Sequence, residues 1–346
     1  MSDERPPSEA ESAAAEASDA EHASDSADAD AGPAEAGGGS VALPWILFAA
    51  TCLTTTMAGA RYLHPAVSNI DLLTKHLLDG IPYSLSLMGI LVFHEMGHYV
   101  LARIHKVDAS LPYFIPIPFL GLGTFGAVIR MGDTIKRRDT LVDVGASGPI
   151  AGLVVAIPVL AYGIWLSPIK PLGAGMLEGN SLLYGTIKVL VKGQWLPGGG
   201  VDVQLSPVAW AGWVGLLVTM INLLPIGQLD GGHIAVAYFG NRHERVARRL
   251  HFALPFLAVA ASGYAVWQLS LAPKVTLAMA VRLGGMSGLP WLVWFGMIFL
   301  MRRATAGRYH PPVDDEPLSP GRLWLCRVMG IVFVATFIPI PLRPTL

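Results

Sequence analysis

Residues 81–104 read IPYSLSLMGILVFHEMGHYVLARI. The run is apolar over the roughly 20 residues that a helix needs to cross the hydrocarbon core of a bilayer, yet His94, Glu95 and His98 lie inside it. Each ionisable group at such depth costs on the order of 2–3 kcal/mol or more, so three together mark a functional site. Imidazoles at i and i+4 lie one above the other on a single helical face, with a carboxylate beside the first. That spacing lets two ring nitrogens reach one zinc ion at about 2.0–2.1 Å while Glu95 hydrogen-bonds a water on the metal. A match to H-E-x-x-H arises by chance in many chains; the apolar setting is what gives it weight here.

The rest of the chain agrees with a membrane setting. Of 346 residues, 53% are hydrophobic and 14% charged, against about 25% charged in an ordinary soluble domain. The formal net charge of −1 conceals two regions. Residues 1–40 hold about eleven acids and one base, leaving roughly +9 on the remainder. This first segment has almost no apolar side chain larger than Ala, so it reads as a disordered acidic tail. Residues 41–346 are expected to form one polytopic membrane domain, with the chemistry-bearing core, the expected catalytic core, at about 81–240. Two distant cysteines, Cys52 and Cys326, exclude a disulfide framework and a cysteine-type zinc finger, and the composition excludes a nucleic-acid binder and a collagen.

The fold class expected is an all-α polytopic membrane protein with about seven transmembrane helices: Val41–Ala60, Ile81–Ile104, Leu141–Leu166, Ser206–Leu224, Phe252–Ala272, Leu289–Met301 and Leu323–Leu342. Basic residues cluster in alternate connections, at Arg103 and Lys106, Arg130 to Arg138, Arg242 to Arg249, and Arg302 to Arg308. These face the cytoplasm by the positive-inside rule, with the amino terminus on the same side and the carboxyl terminus opposite. Between the second and third spans, Leu111–Met131 is apolar but broken by Pro112, Pro116 and Pro118 and by Gly121, Gly123 and Gly126. A re-entrant or strand-like segment is expected there, because irregular backbone at membrane depth persists only where protein or a water-lined cavity satisfies it. The connection Ser167–Leu205 is expected to hold a short interfacial helix at Ser181–Val191.

A catalytic zinc of this kind takes three protein ligands. The fourth span runs out in NLLPIGQLDGGH, Asn222 to His233. Asp230 is either the missing partner or part of a helix-ending turn; Pro225 and Gly227 break the helix and free the carboxylate to turn toward the second span. Asn222, about two turns earlier, can donate to a developing oxyanion or bind substrate backbone.

HEMGH in one span and N-x-x-P-x-x-x-x-D-G ending a later one resemble the site-2 protease family of intramembrane zinc metalloproteases, as do FGAVIR at Phe125–Arg130 and ASGPIAG at Ala146–Gly152. The resemblance covers about Ile81 to Tyr238. It implies one zinc per chain on His94, His98 and Asp230, Glu95 as general base and Asn222 as a substrate or oxyanion contact. It also implies a membrane-spanning protein substrate, such as an anti-sigma factor or membrane-tethered transcription factor, cut in or near its transmembrane segment. The Ser167–Leu205 connection is too short for the PDZ domain that many bacterial relatives carry between spans.

An unwound substrate helix could pair with the Leu111–Met131 segment as an added strand, which makes Gly126 a substrate-binding candidate. His233 is expected to pack beside the site, whereas His64, His76, His105, His251 and His310 are expected at the surface. A bacterial inner membrane is the expected location. Two other classes stay open: a zinc or divalent-metal transporter, which would repeat its sites along a path, and a non-catalytic metal-binding scaffold, against which Glu95 argues.

Overall fold

The computed structural model describes residues 42–119, 121–131, 135–273 and 275–346. The expected acidic tail, 1–40, lies outside them. Ten helices are described here: α1 Ala42–Leu63, α2 Ile81–Ile104, α3 Arg138–Leu166, α4 Leu182–Lys192, α5 Pro207–Asn222, α6 Asp230–Phe239, α7 His243–Ser270, α8 Leu277–Gly284, α9 Leu289–Ala304 and α10 Pro320–Thr336. Short helical turns occupy most of the stretch between α1 and α2.

Each expected span falls on a helix, but among the described residues only five helical stretches are long and apolar enough to cross a membrane: Ala42–Leu63, Asn69–Ile104, Arg138–Leu166, Asp230–Ser270 and Leu277–Ala304. α5, of 16 residues, is about 24 Å long at 1.5 Å per residue. Its Trp213, Leu216 and Met220 are wholly enclosed by protein, so it is a core helix that meets little but other helices. α10 has 17 residues. The helices that form the exterior expose large apolar side chains, such as Trp45, Val154, Phe256 and Val259, which suit lipid contact and would be an aggregation liability in water.

The chain is mostly helical as expected, but the described residues also hold three two-stranded antiparallel sheets. β1 Tyr113–Pro116 and β2 Thr124–Val128 form a hairpin within Leu111–Met131, so the strand-like alternative is the one observed. Proline and glycine exclude a helix there, and neighbouring helices satisfy the backbone that is left over. Thr54 donates to the Gly123 carbonyl at 2.7 Å and Tyr83 to the Leu122 carbonyl at 3.0 Å. A side chain at Gly123, where φ is +79°, would collide with the backbone of Thr54 and Thr55.

The connection between α3 and α5 is a small ordered layer. β3 Ile169–Pro171 pairs with β5 Val201–Val203, while β4 Gly175–Glu178 pairs with β6 Leu342–Thr345 near the carboxyl terminus. The expected short helix is α4, capped by Ser181, which accepts from the Tyr184 N–H.

The core that positions the site is the packing of α2, α3 and α5. Glycines make it tight: a Cβ on Gly97 of α2 would lie 2.5 Å from the Ser147 carbonyl oxygen of α3, and one on Gly212 of α5 would lie 2.7 Å from Leu160 of α3.

Candidate metal centre

α2 carries His94, Glu95 and His98, which are 2%, 5% and 7% exposed. The chain after α5 breaks as Pro225 and Gly227 require, Gly227 adopting φ +70°, and restarts as α6 with Asp230 as its first residue. The loop folds back over the first turn of α6 because Gly231 and Gly232 lack side chains. A Cβ on Gly231 would sit 2.0 Å from the Leu223 carbonyl oxygen, and one on Gly232 would sit 2.2 Å from that of Gly227. This return delivers the Asp230 carboxylate to the α2 histidines.

His94 Nε2 lies 3.2 Å from Asp230 Oδ2, His98 Nε2 lies 3.3 Å from Asp230 Oδ1, and the two Nε2 atoms are 3.3 Å apart. Zinc–ligand bonds of 2.0–2.1 Å in tetrahedral geometry place ligand atoms roughly 3.3–3.4 Å apart, so the three donors fit one such ion. The hydrogen bonding agrees. His98 Nδ1 is 2.7 Å from the Val144 carbonyl; a carbonyl only accepts, so Nδ1 carries the proton and Nε2 of the neutral ring presents its lone pair. Asp230 Oδ2 is buried without a hydrogen-bond partner among the described residues. Lone pairs and a carboxylate converging in a buried place repel unless a cation sits between them.

The set opens into a cavity of about 590 Å³ that Glu95 and Asn222 also line. Asn222 Nδ2 approaches His94 Nε2 at 3.2 Å. All five polar residues singled out in α2, α5 and α6 therefore meet in one place. Gly126 does not line the cavity, but its neighbours Phe125, Ala127 and Val128 do. Gly126 has φ +99°, with open space where a Cβ would point. Phe125 stacks on Trp294 of α9 at 5.8 Å, closing one side.

Several contributors were not legible in advance. Gly148 and Gly152 of α3 face these histidines directly: a Cβ at Gly148 would lie 2.0 Å from His98 Nε2, and one at Gly152 would lie 3.1 Å from His94 Nδ1. The spacing of glycines in ASGPIAG is the only sequence trace of this. His251 and His310, expected at the surface, are instead buried. His251 is held by Tyr309 and the Phe295 carbonyl, both at 2.9 Å, and His310 lines the cavity beside His233. Neither has helical phase with the site, so only the return of the chain between α9 and α10 brings His310 there. His64, His76 and Asp79 form a second, partly exposed cluster between α1 and α2, while His105 pairs with Asp143 at 3.0 Å.

The model of peptidase family M50 matches residues 82–260. "Probable zinc metalloprotease EGY1, chloroplastic" of Arabidopsis thaliana is 31% identical over 280 residues, 79% of this chain and 45% of that protein. "Probable zinc metalloprotease EGY2, chloroplastic" of the same plant is 34% identical over 181 residues, 51% of this chain and 31% of the relative. "Probable zinc metallopeptidase EGY3, chloroplastic" is 24% identical over 323 residues, 86% and 49% respectively. The chain thus spans less than half the length of these relatives. Their chloroplast naming lends no support to a bacterial inner membrane. No solved structure matches the chain.

Proposed function

The chain belongs to peptidase family M50, the site-2 protease family, and from that membership we propose that it is a zinc-dependent intramembrane protease. The observation that carries this reading is the convergence of His94, His98 and Asp230, at 3.2–3.3 Å, on a cavity shared with Glu95 and Asn222. In this proposal the first three hold one zinc ion. Zinc bound there supplies a Lewis acid that lowers the pKa of water and polarises a carbonyl.

The chain's own groups do the rest. Glu95, buried beside the ligands, takes the proton of the attacking water and returns it to the leaving amine. Asn222 donates its side-chain N–H to the oxygen that gains charge as the carbonyl is attacked. Gly97, Gly148 and Gly152 hold α2 and α3 close enough to keep the ligand rings in register. The substrate is a membrane-spanning protein segment, such as that of an anti-sigma factor or a tethered transcription factor. Its helix hides each carbonyl in a hydrogen bond four residues along, so it must unwind before attack. We assign the free edge of β2, around Gly126, to pairing with the unwound strand. All seven expected segments cross the bilayer in this reading, with the basic clusters and the amino-terminal side cytoplasmic.

The experiment is metal analysis of detergent-purified wild type, Asp230→Ala and Glu95→Gln beside cleavage of a model single-span substrate. One zinc per wild-type chain, zinc lost in Asp230→Ala, and zinc kept but cleavage abolished in Glu95→Gln are expected. Undiminished cleavage in Glu95→Gln would overturn the assignment, and ion flux surviving that substitution would bring forward the transporter alternative.

A further inference from the structure

His233 and His310 face the same cavity as the metal ligands but belong to neither the ligand set nor the Glu95 machinery. His233 lies one turn after Asp230 on α6. His310 comes from the connection between α9 and α10, outside the part of the chain that matches the family model. His233 Nδ1 and His310 Nε2 are 2.7 Å apart, and His310 Nδ1 is 2.7 Å from the Pro311 carbonyl.

These distances determine where the protons are. The Pro311 carbonyl can only accept, so His310 Nδ1 carries a hydrogen; in the neutral ring, His310 Nε2 is then an acceptor. His233 Nδ1 must therefore donate to it, which leaves His233 Nε2 unprotonated. That nitrogen has no hydrogen-bond partner among the described residues. Burial pushes the His310 pKa down, which disfavours its charged ring. His233 is not a further metal ligand, since the donors close enough to share an ion are His94, His98 and Asp230.

An acceptor nitrogen on a residue that lines the cavity has an evident partner in a peptide substrate. When a substrate helix unwinds, each freed peptide unit exposes an N–H as well as a carbonyl, and an N–H away from water is unfavourable unless an acceptor meets it. Asn222 serves the carbonyl side. Glu95 and Asp230 are acceptors already committed to chemistry and metal. Resting on the protease reading, we propose that His233 is a substrate contact whose Nε2 accepts a backbone N–H of the unwound substrate, and that His310 is the positioning residue that holds His233 in the required tautomer.

The test uses the full chain in proteoliposomes with zinc loaded. His310→Leu removes both the acceptor for His233 and the donor to Pro311, whereas His310→Gln retains an amide oxygen and an N–H. His310→Leu and His233→Phe are expected to keep their zinc and to raise KM about tenfold with little change in kcat, the signature of lost binding. His310→Gln is expected to return to within about threefold of wild type, a recovery that a role limited to packing would not produce. Capture of the uncleaved substrate in a Glu95→Gln background should weaken by the same factor when His310→Leu is added. Unchanged KM, a fall in kcat alone, or zinc lost from His310→Leu would overturn the proposal; the second would indicate a proton relay and the third a metal-supporting role. Failure of the protease reading is distinguishable, because wild type would then cleave nothing or Glu95→Gln would still cleave.

Discussion

His98 is held from behind by the Val144 carbonyl and admitted from the front because α3 has no side chain at Gly148. A Cβ there would lie 2.0 Å from Nε2, closer than any van der Waals contact, so the ring must move. Gly148→Ala should therefore lose most of its bound zinc and its cleavage while retaining its helical content, as metal analysis and circular dichroism would show. Gly152→Ala, whose Cβ would meet His94 Nδ1 at 3.1 Å, should retain more of both. Equal metal content in the two variants would contradict this view of the interface. The HEMGH spacing was enough to nominate two ligands because helical phase is local. It could not nominate Gly148, whose importance is what another helix places opposite it.

At the scale of elements, the hairpin and the layer between α3 and α5 are the parts most open to test. Gly126 has room for a Cβ but a φ of +99°, so Gly126→Val strains the strand backbone without touching His94, His98 or Asp230. Cleavage should fall while zinc stays at the wild-type level; full cleavage in a folded Gly126→Val variant would remove the strand-pairing assignment. In the other layer, Lys188 of α4 is completely buried and contacts Glu178 at 3.1 Å and Asp202 at 3.0 Å, tying β4 to β5. Its ammonium also lies 4.4 Å from the Tyr184 ring centre. Lys188→Met leaves two buried carboxylates without a cation, a change that typically costs about 3–5 kcal/mol. Thermal unfolding should show the loss, and adding Glu178→Gln with Asp202→Asn should recover much of it.

Across the whole of residues 44–346, contacts between distant segments sort the connections onto two ends. Arg138 bonds the Ala237 carbonyl, Arg322 pairs with Asp143 at 2.8 Å, and the Asp314 N–H reaches the Lys136 carbonyl. These contacts gather the basic connections at one end. Tyr62 bonds the Leu205 carbonyl and β6 pairs with β4, so the α1–α2 turn, the α4 layer and the carboxyl terminus share the other. Reporters fused before Ala42 and after Leu346 should then report opposite sides of the membrane. The connection that supplies His310 also gives a pH dependence. The folded His310 pKa is lowered by burial, so above the ordinary imidazole value of about 6.5 both states are neutral and stability is unaffected. As pH falls below that value the unfolded chain takes up a proton the folded one resists, and stability drops. Melts in detergent from pH 8 to 5 should show a decline that His310→Gln reduces.

Read alone, the chain determined its membrane character, the helical segments and the break after Asn222, and nominated the five polar residues that the structure brings together, because each rests on composition, helical period or the stiffness of proline and glycine over a few neighbours. The tertiary structure decided that α5 is a core helix, that Leu111–Met131 is a hairpin, that α3 must be bare at Gly148, and that His310 stands beside His233. Those facts depend on which surfaces meet after the chain has returned through some tens of residues, and no local period encodes that return.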